Sequence, residues 1–346
     1  MASLISDLHS SDPEILVRKN NRFVTTLTLN RPRKLNALSV SMLSRLSELF
    51  LRCDNDPHVK LVILKATGKA FSPGGDIASV AQHLYNGNVR AACRSFATAY
   101  GLMYLVATKT RPQVSFLNGM TMGTGAGVSI HGSFSVVTEK TVFAMPEAAI
   151  GGFPDVGSTY FLSRLPGFFG EYLGLTAILD TYSEQPALKA KSASHRMDVI
   201  NKCFSQSTVE EILSSLEKEY ATSTNTSDHH EWLSSSIQSM KNASPISLKI
   251  ALKSIRGGRK LQGVGECIVL EYRIICHVLR GEISKDFMEG CRAILLDKDK
   301  NPKWEPSRLE LVTDQMVSHY FSRLDDDEEL KLPQTSKLSV TPISKL

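Results

Sequence analysis

The chain has 346 residues, 42% hydrophobic and 22% charged, which is the make-up of a globular protein of one large domain or two ordinary ones and excludes a disordered, collagen-like or coiled-coil chain. Forty basic against 35 acidic residues leave a net charge of +5 with no dense basic cluster among aromatics, so a nucleic-acid partner is not expected. No run of about 18 apolar residues suits a membrane span, and the start MASLISDLHSSDPE reads as neither a secretory signal nor a mitochondrial presequence.

Residues 1–12 read as a flexible start. ILVRK and FVTTLTL are rich in β-branched residues and predict two strands, the second ended by a turn at Arg31, Pro32 and Arg33. SVSMLSRLSELFLRC spaces Met42, Leu43, Leu46, Leu49 and Phe50 as a helix does, and VKLVILKA (59–66) reads as a strand buried on both faces. PQVSFLNG (112–119) is the next strand. It leads into the glycine-rich MGTGAGVSIHG (122–132), then SFSVVTEKTVFAM (133–145) and EAAIGGFPDVG (147–157). STYFLSRLPGFFGEYLGLT reads as helical. Residues 13–176 are therefore expected to form one α/β unit of crossover connections.

Residues 177–332 are expected to be almost wholly helical. VEEILSSLEKEY, HEWLSSSIQSMK, PISLKIALKSIR, CIVLEYRIICHVLR and SKDFMEGCRAILL each repeat apolar residues every three or four positions. Ser244 before Pro245 suits a capped first turn, and ATSTNTSD reads as a polar linker. Residues 333–346 read as a flexible tail. The six cysteines are scattered without a CxxC pair, so reduced, buried thiols are expected and no metal centre.

Three segments carry chemistry. In KAFSPGGDI (69–77), Gly74 and Gly75 lie between a buried strand and a predicted helix, where a turn can aim backbone N–H groups into a pocket. MGTGAGVSIHG lacks the dinucleotide-binding spacing, but a strand running through glycines into a helix again leaves free N–H groups. In FAMPEAAIGGFPDVG, Glu147 and Asp155 are carboxylates among apolar side chains, where a raised pKa suits a nucleophile, base or acid. Asp155 could equally cap a helix. Two N–H sites with a carboxylate pair are what acyl transfer from a thioester needs.

LTLNRPRKLNALS, KAFSPGGDI, MGTGAGVSIHG, FAMPEAAIGGFPDVG and RAILLDKDKNPKWEP together resemble the crotonase (enoyl-CoA hydratase/isomerase) superfamily over residues 13–332. Within it, MPE…FPDVG and DKD…PKW resemble the branch of 3-hydroxyisobutyryl-CoA hydrolases. The resemblance implies a spiral of ββα units with a C-terminal helical region, and a thioester hydrolase needing no cofactor beyond the coenzyme A of its substrate. It places oxyanion N–H donors at Gly75 and Thr124, the catalytic glutamate at Glu147 and its partner at Asp155. It implies coenzyme A contacts at Lys34, Asn36, Ala37, Asp76 and Ile77. Hydratases carry a second glutamate where this chain has Gly127, so hydration of a double bond is not expected. Relatives often form oligomers, so a homo-oligomer is a possible state.

The chain departs from the family at Pro73, usually alanine, and at Thr124, usually glycine, where a β-branched side chain resists unusual backbone angles. Ala99 stands where many members have an acidic residue before the tyrosine matching Tyr100. After LGLT (173–176) a stretch of a few dozen residues that precedes an ILDTY-like helix in relatives is missing, and its loss is expected to expose apolar surface. The end Ser344-Lys345-Leu346 reads as a peroxisomal address that an import receptor would bind.

Overall fold

The computed structural model describes residues 13–176, 180–181, 196–223 and 227–333. Strand β1 (Ile15–Lys19) turns back on β2 (Val24–Leu29) as an antiparallel pair, with Ile15 opposite Leu29. The chain then crosses over through helix α1 (Val40–Asn55) to β3 (Leu61–Ala66), parallel to β2. The Ser39 side chain caps α1 by accepting from Met42 N at 3.2 Å, and the face from Met42 to Cys53 is buried. A second crossover, through α2 (Ile77–Tyr85) and α3 (Val89–Thr108), reaches β4 (Gln113–Leu117), parallel to β3. Parallel neighbours require such long connections, and this is why helices lie against the sheet.

After β4 the chain alternates between two sheets. β5 (Met120–Met122) opens the second sheet and runs directly into α4 (Gly123–Ile130). β6 (Phe134–Val137) returns to pair with β4, and β7 (Val142–Ala144) pairs with β5. The larger sheet has the order β1-β2-β3-β4-β6. The repeat of strand, strand and helix is the α/β spiral that the sequence resemblance implies.

Helices follow: α5 (Ser158–Leu162) and α6 (Phe169–Thr176), then strand β8 (Asp180–Thr181) against β7, then α7 (Met197–Phe204), α8 (Val209–Thr222) and α9 (Ser227–Asn242). α10 (Pro245–Gly258), α11 (Val264–Arg280), α12 (Asp286–Cys291) and α13 (Asp314–His319) complete the α-helices of the described residues. Ser244 caps α10 through Ser247 N, with Pro245 in its first turn. Among the described residues no helix is long and apolar enough to cross a membrane.

Three local expectations need correction. STYFLSRLPGFFGEYLGLT is two helices rather than one, broken at Pro166 and at Gly167, whose φ of +57° favours glycine. Asp180–Thr181 of the ILDTY segment is a strand on β7, not a helix. The twenty-residue α3 is absent from the predicted elements; its alanines and Gly101 dilute the apolar spacing of Phe96, Tyr100, Met103 and Val106. The missing stretch after Thr176 and the C-terminal Ser344, Lys345 and Leu346 fall at or within residues outside those described.

The helical half grips one turn of the α/β half. Residues Glu147–Ile150 form a short 3-10 turn, and Ser244 N donates to Ala148 O at 3.1 Å. A Cβ on Gly151 would lie 2.2 Å from Asp286 O, and one on Gly290 2.3 Å from Ile150 O, so glycine at both places lets α12 lie directly on this turn.

Candidate active site

The loop from Ser72 to Asp76 uses up its own polar groups. Ser72 Oγ donates to Asn36 O at 2.9 Å, Leu38 N to Gly74 O at 2.9 Å, and Asp76 N to Leu38 O at 3.0 Å. Gly74 sits at φ +119°, a conformation open to glycine. The N–H of Gly75 has no partner among the described residues. Thr124 is the second residue of α4, so its N–H has no carbonyl of its own helix to bond. The two donors adjoin: a Cβ on Gly74 would lie 3.6 Å from Thr124 N, and one on Gly75 3.3 Å from Thr124 Oγ1. Gly123, at φ +46°, takes the unusual angle of this turn, and Thr124 is helical. The β-branched residue is therefore not strained there.

Both donors line a cleft of about 340 Å³, with Leu38, Ile77, Phe96 and Ala99 among its apolar walls. Of the residues expected to meet coenzyme A, Asp76 and Ile77 line this cleft. Asp76 also caps α2 through Ser79 N and pairs with Arg31 at 3.1 Å. Lys34 is exposed at the end of the turn Pro32–Lys34, and Ala37 is half-buried beside it. Asn36 is tied into the turn itself. Its side chain is fully buried, donates to Thr67 O and Ala70 O at 2.8 Å each, and accepts from Arg31 N at 2.8 Å. It shapes the turn, and both N–H groups of its side chain are used within the protein.

Glu147 begins the 3-10 turn directly after Pro146. Its Oε1 faces Gly123, 3.0 Å from where a Cβ would be, and its Oε2 is buried without a partner. Burial first, then the charge of Asp155, holds this carboxyl well above the usual range. Asp155 is buried and accepts a 2.7 Å hydrogen bond from the Tyr100 hydroxyl, so its side chain does not cap a helix. Burial pushes Asp155 up to about 7 against the pull of that bond. Burial raises both carboxyls and the charge of Asp155 raises Glu147 further, so the site holds a proton near neutral pH.

The backbone after Asp155 is unusual. Val156 lies at φ +55° and Gly157 at φ +84°. A β-branched residue in the left-handed region costs about 1–3 kcal/mol. The ring Nε2 of His131 lies 3.0 Å from Val156 O, and the burial of His131 depresses it to about 4, so the ring is neutral and its Nε2–H donates to that carbonyl. Glu271, wholly buried on α11, accepts from Gly157 N at 2.6 Å and Thr159 N at 2.7 Å. Burial, then the charge of Asp155, raises Glu271 to about 8.

Gly127 lies on the buried side of α4. A Cβ there would come 2.6 Å from Met103 Sδ and 3.0 Å from Val156 Cβ. A carboxylate side chain at this position would have to displace both.

The structure thus brings Gly75, Thr124, Asp76 and Ile77 to one cleft, and places Glu147 against Gly123, the neighbour of Thr124. Tyr100 as the partner of Asp155, and His131 and Glu271 as supports of its turn, escape the sequence reading. One signal marks Glu271: a carboxylate on the apolar stripe Cys267, Ile268, Tyr272, Ile275 of its helix. Among the described residues the one group able to offer three metal ligands is His277, Glu282 and His319, none of which lines the cleft.

A family model described as enoyl-CoA hydratase/isomerase matches residues 24–179 and 176–321. 3-Hydroxyisobutyryl-CoA hydrolase 1 of Arabidopsis thaliana is 50% identical over 380 aligned positions, covering 97% of this chain and 99% of the relative. Probable 3-hydroxyisobutyryl-CoA hydrolase 2 of the same plant is 48% identical, with the same coverage. Both alignments are longer than the chain itself, so these relatives carry residues that it lacks, and the family matches meet at 176–179 where the missing stretch is expected. Among solved structures, an enoyl-CoA hydratase from Rhodobacter sphaeroides 2.4.1 superposes with a TM-score of 0.82 at 28% identity, over 92% of this chain and all of that one. On fold, family match and full-length relatives together, the chain belongs to the enoyl-CoA hydratase/isomerase, or crotonase, family.

Proposed function

We propose that the chain hydrolyses the thioester of 3-hydroxyisobutyryl-CoA, or of a similar short hydroxyacyl-CoA, to the free acid and coenzyme A. The observation that carries this reading is the meeting of two unpartnered N–H groups, at Gly75 and Thr124, beside the Glu147 carboxyl. The names of the relatives at 48–50% identity support the substrate.

In this mechanism the N–H groups of Gly75 and Thr124 hold the thioester oxygen as it gains negative charge. Ionised Glu147 takes a proton from the water that attacks the carbonyl carbon, or attacks that carbon itself. The carbon–sulfur bond then breaks, and the thiolate leaves with a proton that the carboxyl pair supplies. Where Glu147 is the nucleophile, water then cleaves the anhydride it has formed, releasing the acid and restoring the carboxylate. Asp155 binds the substrate hydroxyl or shuttles that proton. Water is consumed once, and the products are a carboxylic acid and a thiol. The filled space at Gly127 disfavours hydration, which needs a second carboxylate there.

The product retains the branched four-carbon skeleton left when valine is degraded, and valine catabolism is the pathway we assign. Ser344, Lys345 and Leu346 are proposed to direct the chain to the peroxisome through an import receptor. A fluorescent fusion at the N-terminus should become punctate and turn diffuse when the three residues are removed; an unchanged distribution would refute the address.

A second reading is favoured by the stretch missing at 176–179. In it the chain binds coenzyme A esters without turning them over. Thiol release from 3-hydroxyisobutyryl-CoA, measured beside binding of the same ester, separates the two: turnover supports the hydrolase, and saturable binding without thiol supports the second reading.

A further inference from the structure

We propose that Glu271 is a positioning residue for hydrolysis: from the distant helix α11 it clamps the turn that aims Asp155. This inference rests on the hydrolase reading of the site. The turn Asp155–Thr159 runs through two consecutive left-handed residues, the first of them Val156. A local sequence of this kind does not hold itself in place, because valine returns readily to extended backbone. Its supports come from elsewhere in the chain. His131 meets Val156 O on one side. Both oxygens of Glu271 meet the N–H groups of Gly157 and Thr159 on the other, across more than a hundred residues of sequence.

Packing alone does not account for a glutamate here. At 0% exposure and with no cation paired to it among the described residues, Glu271 is a costly choice for a position on an apolar helix stripe. Its oxygens make no bond within α11; both reach the segment directly after Asp155. Glu171 gives a contrast: it is equally buried, but it pairs with Arg259 at 2.7 Å and has Arg256 at 3.6 Å. The groups facing Glu271 are Asp155 from the turn, the N–H groups of Gly157 and Thr159, the Thr159 hydroxyl and the Cys267 thiol on its own helix, with Tyr100 and Glu147 near enough to feel its charge. The two N–H groups are what the carboxyl oxygens bind. The Asp155 carboxyl is in turn fixed by Tyr100 on α3, the helix against which α11 packs. The acid thus has two supports from this helix pair, Tyr100 on its oxygen and Glu271 on the backbone that follows it.

The test uses the full chain, with Glu271→Gln and Glu271→Asp. Glutamine offers one acceptor and turns its NH₂ toward the other N–H, and aspartate is one methylene short. Turnover of 3-hydroxyisobutyryl-CoA and hydrogen exchange are both measured. The expected result is a fall in kcat of thirtyfold or more with KM within threefold, because the cleft wall at Gly75 and Thr124 is untouched. Amide exchange should quicken over residues 153–159 and stay unchanged at α10. Full kcat, or unchanged exchange at 153–159, overturns the proposal. So does failure of both variants to fold, which would make Glu271 a residue of general stability. An inactive wild-type chain refutes the hydrolase reading instead, and the exchange of residues 153–159 still decides whether Glu271 holds the turn.

Discussion

Tyr100 donates a 2.7 Å hydrogen bond to Asp155 Oδ2, and both residues are buried. The bond favours the ionised form of Asp155 and works against the burial that raises it. Removing it in Tyr100→Phe leaves the ring packed and the carboxyl without its donor. A hydrogen bond to a charged group is worth about 1.5–3 kcal/mol, so kcat near pH 7 is expected to fall about tenfold or more. Asp155 is then pushed further up, so the limb of the pH–rate profile that its titration sets moves to higher pH. A pH–rate profile of the variant checks this, and an unshifted limb contradicts it.

The same buried carboxyls set the pH dependence of stability. Asp155 at about 7 and Glu271 at about 8 keep their protons in the folded chain, whereas the unfolded chain releases them near 4. Between those limits the unfolded state binds fewer protons, so stability falls as pH rises. His131, depressed to about 4, acts oppositely but only below about 6.5. From pH 6.5 to 8 these carboxyls, with Glu147 in the same sense, outweigh Lys109, which burial lowers to about 8, and the expected loss is on the order of 2 kcal/mol or more. Denaturant unfolding at the two pH values checks it. A rise in stability over that interval contradicts the burial of these groups.

Gly127→Ala tests why no second carboxylate stands on α4. Its Cβ would press on Met103 Sδ and Val156 Cβ. Overpacking of this kind costs about 1–3 kcal/mol. The variant should unfold at a lower temperature, and Gly127→Glu should be worse and gain no hydration of crotonyl-CoA. A soluble Gly127→Glu chain that hydrates crotonyl-CoA would overturn this reading of the packing.

Asp76→Ala removes a helix cap and the partner of Arg31 while leaving the N–H of Gly75 in place. The cap alone is worth about 1 kcal/mol. The expected outcome is a KM for the coenzyme A ester raised about threefold to tenfold with kcat little changed, read from initial rates. A loss confined to kcat would place Asp76 in the chemistry instead of on the cleft wall.

Much of this site is legible in the sequence because its elements are local. Gly74-Gly75 and Gly123 announce turns that side chains resist, and Pro146 before Glu147 marks a fixed backbone in an apolar stretch. The strands and their crossover order follow from β-branched runs alternating with helical spacing. Long-range pairings are what the sequence hides. Nothing near Asp155 names Tyr100, and nothing near Gly157 names Glu271, 114 positions away. Asn36 shows the same dependence on distant partners. It sits in a turn expected to face a ligand, but its side chain is the one that ties that turn to Thr67 and Ala70.

Thioester hydrolysis by Glu147 beside the N–H groups of Gly75 and Thr124 is tested most directly by release of free thiol from 3-hydroxyisobutyryl-CoA. The release is measured with the purified 346-residue chain and with Glu147→Gln. Wild-type release, lowered in the variant by at least about a thousandfold while ester binding persists, is the predicted result. Equal release by the two chains, or none from a folded and monodisperse wild type, would contradict it.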